Sequence, residues 1–313
     1  MSSPRFLPVP GSFAVARIDP EASLQYLQDP QALEAAARLV FLEYIVFIPG
    51  GRAPLLPGVQ FRQEEIEFVH QGLPAGVPEH GITSSMSLAI LPATSHPTDR
   101  VPLAPIGDFP WDNCYLSPFL STVVRTPTVL SADPVLSRLG ITERVRHNRV
   151  FSRDVEAYRE ALSQQQRDPE EHRVPRPEAS DTVHDLDAEE AANDIGLVRS
   201  AHDSVDDLIR FVLTPREVPD DMITVHFTQD LSRIRRLNDP RGFFEEVDAI
   251  SRIAAESVAR RKRAVEEDSH RLDELTAAYL AESSRNNPAG TKLRQPALTA
   301  LRRWIRGIFN SRR

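Results

Sequence analysis

Apolar side chains recur along this chain with rhythms that change from stretch to stretch. "DPEASLQYL" and "DPQALEAAARLVFLEYIVFI" both open on Asp followed by Pro. Such a pair is an N-cap ahead of a first helical residue whose φ is already set. The second of these predicts a buried helix running to the Pro-Gly-Gly at 49–51. Phe61, Ile66, Phe68 and Val69 in "VQFRQEEIEFVHQG" predict a third helix, ending before Gly72. Strands are expected at 85–91 and at 120–130, the latter broken at Pro127. "SADPVLSRLG" repeats the Asp-Pro opening and predicts a short helix, and Ser152 caps a polar one.

Beyond residue 194 the rhythm is helical. Ile195, Val198, Val205, Leu208, Ile209 and Val212 recur at three- and four-residue steps, and "MITVHF" at 222–227 interrupts them as a short strand. A helix is then expected over 239–284. Phe243, Val247, Ile250, Ala254 and Ser257 form a seam that "ARRKRAVEED" interrupts and that Leu272, Leu275 and Tyr279 resume. A face that is apolar at both ends and charged at its centre suits a helical hairpin or bundle better than a long uninterrupted dimeric coiled coil. Near the end, Leu298, Leu301, Trp304, Ile305, Ile308 and Phe309 wind onto one arc of about 140°, with Arg302, Arg303 and Arg306 beside it.

Punctuation and charge divide these stretches. Eighteen of the 26 prolines precede residue 136, so the first half must be built from short elements and loops. Residues 168–194 hold ten acidic side chains against Arg173 and Arg176 and no run of large apolar ones, the composition of a flexible linker. The expected organisation is an α+β N-terminal domain over 1–167 and an acidic linker over 168–194. A mostly α-helical C-terminal domain, a hairpin or bundle over 195–284, and a basic amphipathic tail over 285–313 complete it.

The formal net charge of −8 over 313 residues argues against a whole-protein nucleic-acid binder. The single cysteine, Cys114, forms no internal disulfide, and the N-terminus lacks the apolar run of a signal peptide. The most apolar segment, 32–48, carries Glu34, Arg38 and Glu43 and is too short to span a bilayer. An intracellular, cytoplasmic protein is expected, and "RRKR" at 260–263 keeps a nuclear address open. Lys262 and Arg263 stand four residues before Glu266 and Glu267, so helix ion pairs should neutralise much of that run.

Motif chemistry is sparse. The glycine arrangements that cradle phosphates, the nucleophile elbow and the helical zinc motif are all missing, so no cofactor and no metal are expected. His184, Asp185 and Asp187 read as solvated charge in the linker, and His202 as the edge of an apolar face with Asp206 on the same side. Trp111, Asp112, Cys114 and Tyr115 crowd into "PWDNCY", either as a small-molecule pocket or as a loop anchor with a buried ring. The leading expectation is a non-catalytic interaction or adaptor protein that meets another protein through its C-terminal helices. Its tail residues Leu298, Leu301, Arg302, Trp304, Ile305, Arg306, Ile308 and Phe309 would dock in a groove or lie on an anionic membrane surface. The alternative is an enzyme with its site at 110–115.

Overall fold

The computed structural model describes residues 5–50, 59–77, 81–171 and 218–286. Both Asp-Pro openings start helices as the sequence predicts. Asp19 caps α1 (Pro20–Leu24) by accepting from the Ala22 N–H, and Asp29 caps α2 (Pro30–Ala37) by accepting from the Gln31 N–H. The second helix stops at Ala37, however. The four apolar residues after its loop form a strand, β3 (Tyr44–Phe47), buried on both sides. A continuous apolar run of that length fits a central strand, because each face of the sheet needs cover.

β3 sits in a six-stranded sheet whose neighbouring strands all pair antiparallel. Its order is β10 (Val225–Thr228), β2 (Phe13–Ile18), β3, β4 (Phe61–Gln71), β7 (Cys114–Pro127) and β5 (Leu88–Ile90). Two small ladders flank it, β1 (Arg5–Leu7) with β8 (Val129–Ser131) and β6 (Pro105–Gly107) with β9 (Ser137–Leu139). The helix expected over 59–72 is therefore strand β4, and the short one expected at 131–140 begins on the last residue of β8 and contains β9. In β4 the period-two signal is hidden because two of the buried alternate positions are Arg62 and Glu64, with Ile66 next. Arg62 Nε lies 2.9 Å from Glu64 Oε1, and Arg62 donates to the Pro8 carbonyl at 2.9 Å.

Each face of the sheet is covered by a helix. Phe13, Val15, Ile45, Phe47, Val69 and Leu116 belong to the larger core, which Phe151 of α3 (Ile141–Glu171) joins. On the other face, Phe243 of α4 (Pro240–Asn286) meets Tyr44 and Phe68 with ring centroids 5.6 and 4.8 Å apart. Gly242 permits that approach, since a Cβ there would stand 2.8 Å from Tyr44 Oη. Tyr44 Oη and the Leu42 N–H both donate to Glu246 one turn on, at 2.9 and 2.8 Å.

A bulge shapes the middle of the sheet. From Glu67 to Val69 the register advances two residues on β4, while on β7 it advances from Ser121 to Leu116. The surplus bends the ladder. Beyond it, the Arg125 N–H donates to the Ile223 carbonyl at 2.8 Å. The buried Arg125 side chain also donates to Thr224 Oγ1 and to the Ala22 carbonyl, with its guanidinium 4.4 Å from the Phe61 ring centroid.

A mixed, sheet-rich region followed by a helical segment agrees with the expected fold class in outline. The chain divides into two compact units. The first runs from Met1 to Ile253 and includes β10 and the start of α4, and the second is Ala254–Arg313. α3 reaches Glu171, four residues into the stretch read as a linker; residues 172–217 and 287–313 lie outside the described residues.

Candidate functional site

The cluster around the only cysteine does not converge on a ligand. Trp111 is buried edge-on against Phe109 in the larger core, at 5.3 Å between centroids. Cys114 is buried there too and donates to the Asp112 carbonyl at 3.2 Å; burial, with Asp112 adding to it, pushes its thiol up to about 12. Such a thiol supplies almost no thiolate at neutral pH. Tyr115 faces the other way, packs with Ala89 and Ala93, and donates to the Ser95 carbonyl at 2.6 Å, while the Asp112 side chain is exposed. The four side chains diverge, as those of a loop anchored at the head of β7 would.

A cleft of about 620 Å³ is lined by β4 and β7 residues beside the bulge and by α3. Pro49, Pro118, Phe151 and Val155 supply its apolar walls, and Glu65, Glu67, Glu156, Arg159 and His147 its charge. His147 and Glu67 are both buried, with His147 Nε2 2.7 Å from Glu67 Oε2. Burial raises the Glu67 carboxyl above its ordinary range, opposed by the bond to His147. A histidine paired with a carboxylate is the arrangement of a general base, but a base needs a lone pair turned towards its substrate. Here Nδ1 is engaged as well, at 2.9 Å from Asn148 Oδ1. The pair fastens α3 to β4.

A second histidine fails the same test. Ser87 Oγ lies 3.5 Å from His96 Nε2, yet the Thr98 N–H donates to His96 Nδ1 at 3.2 Å. That makes Nδ1 the acceptor and puts the neutral ring's proton on Nε2, where it cannot receive one from serine. Ser87 donates instead to the Ser84 carbonyl, and burial together with Arg100 holds His96 below its usual range. Arg100 clamps Asp154 of α3 through two bonds of 2.6 and 2.7 Å. Among the described residues no group of three or more His, Cys, Asp or Glu side chains is placed to hold a metal ion, and no helix is long and apolar enough to cross a membrane.

The surface of α4 is different in kind. In Ala254–Asn286, Val258, Val265, Leu272, Leu275 and Tyr279 are 56, 67, 48, 61 and 59% exposed. The first, second, third and last stand at seven-residue steps, and Leu275 sits between Leu272 and Tyr279 on the same side. The basic run is solvated as expected at 261–263. Lys262 lies 4.0 Å from Glu266, while Arg263 donates to the Ala259 carbonyl. In the first unit, Leu39, Val40 and Leu42 border a groove of about 370 Å³ with Gly242, Glu246 and Ala249.

Sequence reasoning missed Glu67 and His147, which are 80 residues apart and carry no local signature. The predicted tail residues Leu298, Leu301, Arg302, Trp304, Ile305, Arg306, Ile308 and Phe309 lie outside the described residues, as do His184, Asp185, Asp187 and His202. Comparison with protein-family models, curated proteins and solved structures finds no match to this chain.

Proposed function

We propose that this chain is a non-catalytic interaction protein that offers the Ala254–Asn286 part of α4 as a docking surface. The supporting observation is the exposed seam of Val258, Val265, Leu272, Leu275 and Tyr279. Scattered exposed apolar residues are ordinary on protein surfaces, but a row of them on one side of a helix marks an interaction site. The diverging side chains at 110–115 and the fully engaged rings of His147 and His96 lend nothing to the enzyme alternative. In this reading the helical bundle anticipated for the C-terminal half is completed on docking, by α4 and a helix of the partner.

The test is a paired measurement on Leu272→Ser with Leu275→Ser in the full chain. Unfolding should shift by no more than about 0.5 kcal/mol, the range for substitutions that remove no packed contact. Association, followed by light scattering after size exclusion, should be lost. A fall in stability with association unchanged would return the seam to the chain's own core and remove the reading.

A further inference from the structure

We propose that the seam of α4 is closed by the same seam of a second copy of this chain, running antiparallel; the inference rests on the interaction reading above. Seven-residue spacing is the repeat that keeps one stripe of a helix facing a partner helix under left-handed supercoiling. Val258, Val265, Leu272 and Tyr279 take one core position of that repeat, and Arg261, Asp268 and Leu275 take the other. Both charged residues are exposed in the single chain. From Val258 to Tyr279 the stripe is roughly 30 Å long, enough for three repeats.

The two charges choose the direction. A parallel pair in register would set Arg261 against Arg261 and Asp268 against Asp268, where like charges lose hydration and repel. It would also lay the basic run at 260–263 beside its own copy. In an antiparallel pair the two core positions face each other across the interface. One register then opposes Val258 to Leu275, Val265 to Asp268 and Leu272 to Arg261. Arg261 of one copy comes within one layer of Asp268 of the other, on both sides of the two-fold axis. The basic run lies level with residues 270–273 of the second copy, where Arg260 meets Asp273 and the remaining positions are His270, Arg271 and Leu272. At the flanks Ala264 meets Arg271 and Lys262 meets Ser269, so no like charges are opposed there. The helix dipoles oppose as well.

Sedimentation equilibrium of the full chain should give the mass of two chains. Val265→Asp, which sets a carboxylate against Asp268 of the other copy in this register, should weaken self-association by about 100-fold while the first unit keeps its melting transition. Direction is read by cross-linking, which the buried Cys114 does not disturb. Val258→Cys mixed with Leu275→Cys should give disulfide-linked pairs on mild oxidation, and neither variant should do so alone. Linkage of each variant to itself would overturn the antiparallel arrangement, and a monomer would overturn the inference altogether. In a monomer, maleimide labelling of Leu275→Cys then separates the two failures. Fast labelling leaves the seam open to another protein, so the interaction reading stands. Slow labelling that deletion of 287–313 restores puts the chain's own end on the seam, and the interaction reading falls with the inference.

Discussion

One helix, α4, carries two stretches with the same kind of apolar spacing and opposite fates. In Pro240–Ile253, Phe243 and Ile250 are buried, and Phe243 lies among Tyr44, Phe68 and Phe244. In Ala254–Asn286, Val258, Val265, Leu272, Leu275 and Tyr279 stand in solvent. Periodicity states which side of a helix needs cover; it does not state which surface provides it. For the first stretch that surface is Tyr44 and Phe68, 199 and 175 residues before Phe243 in the chain.

The largest effect should separate those two ends. Phe243→Ala should lower the stability of the first unit by about 3–5 kcal/mol, as aromatic truncations in cores do, whereas Leu272→Ala should change it by less than about 0.5 kcal/mol. Denaturant titration followed by tyrosine and tryptophan fluorescence measures both; equal effects would erase the distinction. His147→Ala comes next. It leaves the buried Glu67 carboxyl without its partner and should cost about 3 kcal/mol at neutral pH, with Glu67→Gln added to His147→Ala recovering part of the loss.

Smaller effects depend on pH. Burial pushes the Glu64 carboxyl up to about 7, opposed by Arg62. The folded protein therefore holds this proton more tightly than the unfolded chain, so its contribution is complete below about pH 4.5 and is lost as pH rises towards 7. Glu64→Gln should flatten that part of the stability–pH curve, by on the order of 2–3 kcal/mol across the window. At the sheet edge, His226 Nε2 lies 2.8 Å from Asp19 Oδ2, which raises the histidine and lowers the aspartate. The histidine's share is present below its ordinary 6.5 and lost as pH rises through its folded value; the aspartate's is present above 3.8 and lost as pH falls. The pair thus contributes most between those values. His226→Gln should cost less than about 1 kcal/mol there, because the ring is more than half exposed.

What was legible in the sequence follows from which interactions are local. Asp19-Pro20 and Asp29-Pro30 marked helix starts because an N-cap acts within three residues, and the length of α4 followed from repeated spacing. β4 was illegible because its buried side holds Arg62 and Glu64, so a pattern built on apolarity cannot register that burial. β3 was absorbed into a helix because four consecutive apolar residues have no period of their own. The cleft was illegible for another reason. Glu67 and His147 acquire a meaning only when α3 lies on the sheet, and nothing near either residue announces the other.

β10 comes after the acidic stretch in the chain, yet its ladder partner β2 begins at Phe13. Thr224 and Ile223 receive Arg125 from the earlier part, and Phe243 returns to Tyr44 and Phe68. Scission between Asp168 and Asp194 would therefore not release two independent domains. The halves would copurify as a nicked protein held by a strand, a buried guanidinium and an aromatic cluster. Expressed separately, the earlier half would lack the edge strand β10 and the later half the whole of the sheet that β10 joins.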